Sequence, residues 1–190
     1  MVGVRSTWLW CGALLLALAS SPAEATLIGT GVTVGLSDGA ALDRSHSVTV
    51  GAGPEILPGD GSNIGALLLP NESIDLADSS IEVALEEGAA NGTTGYPAGT
   101  RYTFSFSDPS VVITGVDVVL TNVTGVALGS QVTFGPHSVA LAIDTLLIGD
   151  LPNAVDVGRV LLSLTLAVPE PAALALLACA VLALRLRARA

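Results

Sequence analysis

Ile81-Glu82-Val83-Ala84-Leu85-Glu86 decides the fold, because its apolar residues fall on every second position with Glu82, Ala84 and Glu86 between them. A repeat of two is the period of a β-strand with one buried and one wet face, and a helix of 3.6 residues per turn would scatter these side chains. The same alternation occurs at Val32, Val34 and Leu36 and at Tyr102, Phe104 and Phe106. It returns at Val116, Val118 and Leu120, at Val139, Leu141 and Ile143, and at Leu162, Leu164 and Leu166. Shorter candidate strands lie at 48–50, 66–69 and 73–76. The joints are rich in Gly, Pro, Asn and Asp, as in Gly51-Ala52-Gly53-Pro54 and Pro58-Gly59-Asp60-Gly61, which is turn chemistry. Helical periodicity is missing from this part of the chain. The expected architecture is all-β: a single antiparallel β-sandwich, jelly-roll or immunoglobulin-like in strand order.

Both ends of the 190-residue chain read differently from this centre. Arg5 followed by an apolar stretch at 8–19 and by Ala23-Glu24-Ala25 has the three parts of a secretory signal peptide, with Ala23 and Ala25 as the small residues of the cleavage site. Signal peptidase is the implied partner and cleavage before Thr26 the expectation. Cys11 follows Trp10 within the apolar stretch, which does not suit a lipid anchor. At the other end, Val168-Pro169-Glu170-Pro171 removes two backbone donors and fixes two φ angles, so no strand or helix runs through it. A helix is expected from about Pro171, with Glu170 at its positive end. Residues 172–184 are all apolar and Arg185, Arg187 and Arg189 follow. An apolar run of this length extends roughly 20 Å, against roughly 30 Å for the hydrocarbon core, and the arginines extend its reach by snorkelling. Their charge also places the C-terminus on the cytoplasmic side.

Pro169-Glu170-Pro171, the apolar run and the closing arginines together resemble the PEP-CTERM sorting tail of Gram-negative bacteria. The arginines alternate with Leu186, Ala188 and Ala190 where the family pattern has a block. The resemblance implies export, transient holding in the inner membrane by a transmembrane helix, and processing near Pro169–Pro171 by a membrane-embedded exosortase. Release to the cell surface, outer envelope or extracellular matrix then follows. The organisation expected is a signal peptide at 1–25, a β-sandwich domain at 26–168 and a sorting tail at 169–190.

The central part carries fifteen acidic residues against Arg44, Arg101 and Arg159, a net charge of −12. Such a surface repels nucleic acid and anionic headgroups, which sets nucleic acid aside as a partner. The two cysteines, Cys11 and Cys179, both lie in the end segments, so the domain has neither disulfide nor thiol ligand.

Candidate chemistry in the domain is sparse. Gly35-Leu36-Ser37-Asp38-Gly39 matches the spacing of a nucleophile elbow, with His46 nearby. That motif needs a strand-to-helix turn above a parallel sheet, and here a plain β-turn is the better reading. Oxygen donors cluster at Asp60-Gly61-Ser62-Asn63, at Asp75 with Asp78, and at Asp150 with Asn153 and Asp156. None follows a calcium-loop spacing, and the isolated His46 and His137 do not make a zinc site. No metal, cofactor or catalytic residue is expected. Asn71, Asn91 and Asn122 head formal glycosylation triplets, which the resemblance to a bacterial sorting tail implies are not used. Tyr96, Tyr102, Phe104 and Phe106 form an aromatic cluster whose alternation points to core rather than to a sugar platform. The expected function is a non-enzymatic surface or exopolysaccharide-matrix component. The alternative is a secreted glycan-acting hydrolase or carbohydrate-binding module.

Overall fold

The computed structural model describes residues 25–89, 92–149 and 156–167. These belong to one compact unit, Ala25–Ala167, and contain eleven strands and no helix. The strands are β1 (Gly31–Ser37), β2 (Asp43–Thr49), β3 (Ser73–Ala77), β4 (Ser80–Glu86), β5 (Arg101–Phe106), β6 (Val112–Thr121), β7 (Val123–Thr124), β8 (Val132–Gly135), β9 (Ser138–Ala142), β10 (Leu147–Ile148) and β11 (Val157–Ala167). Five form a sheet in the order β2-β1-β5-β9-β8, four a sheet in the order β3-β4-β11-β6, and β10 pairs with β7. Every one of these pairings is antiparallel.

The alternating positions supply the inner faces. Val32, Val34 and Leu36 of β1 lie in register with Phe106, Phe104 and Tyr102 of β5. Ile81, Val83 and Leu85 of β4 lie in register with Leu162, Val160 and Gly158 of β11. Side chains from both large sheets join one buried cluster that also contains Leu27, Ile56 and Ile64 from the loops. Each fully buried aliphatic or aromatic side chain contributes about 1.5–3 kcal/mol relative to exposure, as an upper estimate. This arrangement is consistent with a β-sandwich.

Several elements depart from the sequence expectation. Residues 66–69 are turn and loop; Ala66 N–H donates to Ser62 O and Leu67 N–H to Ile64 O. The segment is apolar but does not alternate, and its bonds close locally. Strand β2 is longer than 48–50 and almost wholly exposed, a polar edge strand held by pairing with β1 along its length. Strand β8 has no counterpart in the expectation. Ala84, expected on the wet face, is buried; it lies between Ser73 and Arg159 in register, and a methyl group does not rise above an arginine beside it. In β6 the register with β11 shifts between Thr165 and Leu166. Thr114 is the extra residue of this bulge, so Ile113 and Val116, three apart, both face inward.

Ala23 of the cleavage site, Pro169–Pro171 and Arg185, Arg187 and Arg189 lie outside the described residues, while Ala25 is the first residue described. Among the described residues no helix is long and apolar enough to cross a membrane.

Candidate functional site

Ser37 ends β1 and its Oγ accepts a hydrogen bond from Gly39 N–H at 3.1 Å. Asp38 Oδ1 accepts from Ala40 N–H at 2.8 Å and Leu42 N–H at 2.9 Å, and these backbone donors hold its carboxyl below the usual value. The elbow-like motif is thus the hairpin turn between β1 and β2. His46 sits within β2 opposite Val34, three positions along the strand from Asp43, which pairs with Ser37. It is a half-buried mid-strand residue.

Of the candidate cation ligands, Asp60 and Asp78 accept hydrogen bonds. Asp60 Oδ1 accepts from Ser62 N–H at 2.7 Å and Oδ2 from Leu57 N–H at 2.9 Å. Burial pushes the Asp60 carboxyl up, but the bonds from Ser62 and Leu57 and the charge of His46 outweigh it and the net shift is downward. Asp78 accepts the Thr26 hydroxyl at 2.7 Å. Asp75 pairs across the strands with Glu82, and burial followed by that neighbouring carboxylate raises it. Asp150 and Asn153 lie outside the described residues. Among the described residues no group of three or more His, Cys, Asp or Glu side chains is placed to hold a metal ion.

The aromatic cluster divides in two. Tyr102 and Phe104 are fully buried and Phe106 nearly so, as the alternation implies, with the rings of Tyr102 and Phe104 6.3 Å apart. Tyr96 lies in the loop before β5 and packs on the edge of the core. Its hydroxyl donates to Glu72 Oε2 at 2.8 Å. Glu72 is 1% exposed. It also accepts from Leu69 N–H at 2.9 Å and from Glu86 N–H at 3.3 Å. One buried carboxylate therefore joins the turn at 62–72, the end of β4 and the 93–100 loop. Burial raises its pKa, and the hydrogen bonds from Leu69, Tyr96 and Glu86 oppose the rise. Burial likewise pushes the Tyr96 and Tyr102 hydroxyls far above the ordinary tyrosine value, so both stay protonated donors. The Tyr102 hydroxyl lies close enough to Tyr96 and Glu72 to feel them but has no aligned hydrogen-bond partner.

Sequence reading missed this cluster. Glu72 was legible only as the middle of a glycosylation triplet, and two of its three partners lie 14 and 24 residues away. Tyr96, which bonds Glu72, and Leu67 line two hollows. One, of about 220 Å³, runs along Leu69, Thr94 and Gly95; the other, of about 400 Å³, lies between Asp38, Leu42 and Pro97. Their walls are mainly apolar, with Asp38 at one rim. Glu72 is not among the residues lining either hollow and already accepts three hydrogen bonds, so its carboxylate is placed to hold segments together rather than to exchange a proton with a ligand there.

No protein-family model, no curated protein and no solved structure matches this chain.

Proposed function

We propose that the chain is an exported, non-enzymatic component of the cell surface or exopolysaccharide matrix, delivered by signal peptidase and an exosortase. The observation that carries this reading is the order Pro169-Glu170-Pro171, apolar run, Arg185, Arg187 and Arg189. Pro169 and Pro171 break the chain ahead of the membrane segment, the apolar run holds the precursor in the inner membrane, and the arginines fix its C-terminus on the cytoplasmic side. The domain ahead of it is a single sandwich of the jelly-roll or immunoglobulin-like kind, in which the chain passes repeatedly between two sheets. Support for a non-enzymatic role comes from how its carboxylates are used: Asp38, Asp60 and Glu72 each accept two or more hydrogen bonds that close loops. Glycan hydrolysis instead requires two free carboxyl groups facing each other across a cleft.

Replacing Pro169, Glu170 and Pro171 together by alanine tests the routing. In a host with an exosortase, immunoblots of membrane and medium should show the full-length precursor accumulating in the membrane while the medium loses the released domain. Trimming and release at the wild-type level would sink the proposal.

A further inference from the structure

Strands β2, β8, β3 and β6 end the two large sheets, and three of the four are blunted. In β3, Ile74 exchanges backbone hydrogen bonds with Ile56, and Leu76 N–H donates to Glu55 Oε2 at 2.6 Å. In β8, Val132 N–H donates to Ala127 O and Val132 O accepts from Gly129 N–H. Strand β2 carries Asp43, Arg44 and His46. Pairing, cover and charge are the usual protections of a sheet edge against a foreign strand. Strand β6 is different. Glu87 N–H donates to Asp156 O and Leu164 N–H to Ser79 O, so the even-numbered residues of β11 turn their amide groups toward β4. The odd ones therefore face Gly115, Asp117, Val119 and Thr121 of β6. That alternation turns the amide groups of Val116, Val118 and Leu120 away from the sheet, and among the described residues β11 is the single sheet neighbour of β6.

The chain around this edge is nearly free of charge. From Pro109 to Ile143 the sequence holds one acidic residue, Asp117, and no Lys or Arg, in a domain of net charge −12. Val119 is 52% exposed and Phe134 40%, while Val118 and Leu120 are half-buried at the rim of the core. Strand β8, which carries Phe134, lies on the same side of the molecule: Ile113 N–H donates to Pro136 O, and His137 Nδ1–H donates to Val111 O at 2.7 Å.

We propose that β6 is a pairing edge for a second copy of this chain, β6 against β6 in antiparallel register about Val118. Val118 then meets the partner's Val118, and Val116 meets the partner's Leu120, as hydrogen-bonded pairs that exchange about six interchain bonds. One continuous sheet runs through both copies. On the outer face Val119 stands opposite the partner's Asp117, so no two carboxylates are set against each other. The neighbouring registers are worse. Centring on Asp117 places it directly opposite itself, which is destabilising, and centring on Val119 loses a hydrogen-bonded pair because Asn122 turns out of the strand with φ 56°. Charge also selects the edge: two domains of net charge −12 repel when broad faces meet, and β6 offers a contact with a single acidic residue on each side. A strand from another protein is the competing occupant, and it implies that the pure chain stays monomeric. Edge pairing buries less than the roughly 800 Å² per partner of a stable interface, so the dimer forms and dissociates with concentration.

Sedimentation velocity of the full chain in detergent, from micromolar to submillimolar concentration, reads the assembly, and a monomer–dimer equilibrium is expected. Val118→Pro removes the donor that faces the partner, a change that an edge strand accepts because that N–H points away from the sheet. It should weaken the dimer roughly tenfold or more through the two hydrogen bonds lost across the axis, with the unfolding midpoint little changed. Val119 is exposed, and its two charged variants separate pairing in this register from general apolar association. Val119→Asp sets like charges opposite each other and should weaken the dimer about threefold or more, whereas Val119→Lys meets the partner's Asp117 and should hold it at least as tightly as the wild type. A wild-type chain that stays monomeric over the whole range, a dimer that tolerates Val118→Pro, or equal weakening by Val119→Asp and Val119→Lys would each overturn the proposal. Association through the apolar ends of the chain gives the second of these results. Should Val118→Pro fail to fold, the two Val119 variants decide.

Discussion

Tyr96 and Glu72 are joined by a 2.8 Å hydrogen bond from phenol to carboxylate, and through it a loop with no regular structure is tied to a sheet. Glu72→Ala removes the acceptor for Leu69 N–H, Glu86 N–H and the Tyr96 hydroxyl at once. Buried donors left unpaired cost about 1–3 kcal/mol each, partly relieved by entering water, so a loss of about 2–4 kcal/mol in chemical denaturation is expected. A loss under about 1 kcal/mol would show that the carboxylate is not the joint between these segments.

The same residue gives a pH signature. Its folded pKa is raised above the ordinary 4.5, so the native state takes up the proton more readily than the unfolded chain. The resulting stabilisation is complete below the unfolded value and is lost as pH rises through the folded value. Asp38, Asp60 and Asp108 are shifted down and act in the opposite sense, losing their contribution as pH falls through their folded values. Stability measured by denaturant titration should therefore decline more steeply with rising pH above about 4.5 in the wild type than in Glu72→Gln. Parallel curves would contradict the burial argument.

The Tyr102 hydroxyl is buried without a partner, so deleting it should cost little. Tyr102→Phe is expected to change stability by less than about 1 kcal/mol in either direction, because removing an unsatisfied polar atom offsets the small volume lost. Tyr102→Ala should cost about 3–5 kcal/mol through the cavity it leaves. A large loss in the phenylalanine variant would mean that the hydroxyl is bonded to Tyr96 or Glu72 in solution.

The parts of the fold legible in the sequence are those where one face is buried and the other wet. Val32, Val34 and Leu36 alternate because the sheet pleat makes them, and their burial follows. Strand β2 was only partly legible because an edge strand with Arg44, Ser45 and Ser47 exposed is held by backbone pairing, which leaves no hydrophobic trace. Bulges defeat period counting in the same way, since Thr114 shifts the phase between Ile113 and Val116. Glu72 was illegible for a different reason: a buried carboxylate is defined by donors far away in sequence, and a single acidic residue before a strand looks like any turn.

Ser37 supports a turn through one bond to Gly39 N–H, so Ser37→Ala should cost no more than about 1 kcal/mol. Purified protein should show the same signal with p-nitrophenyl esters before and after the change. Esterase activity that disappears in the variant would restore the nucleophile reading of the motif.

Gly99 and Gly39 separate two ways in which a glycine is required. Both have positive φ, +86° and +75°, a region that costs other L-residues roughly 1–2 kcal/mol. A Cβ on Gly39 would meet nothing within 4 Å, whereas one on Gly99 would stand 2.9 Å from the Asp38 carbonyl oxygen. Gly99 N–H also donates to Asp144 Oδ2 at 2.7 Å, so its backbone cannot swing away without giving up that bond. Gly39→Ala is expected to lose about 1–2 kcal/mol from the backbone term alone. Gly99→Ala should lose about 1 kcal/mol more, through the displaced turn or the broken bond to Asp144. Urea denaturation with an unchanged slope measures both losses on one scale. Equal losses would show that the turn between β1 and β2 yields freely and does not hold the 93–100 loop in place.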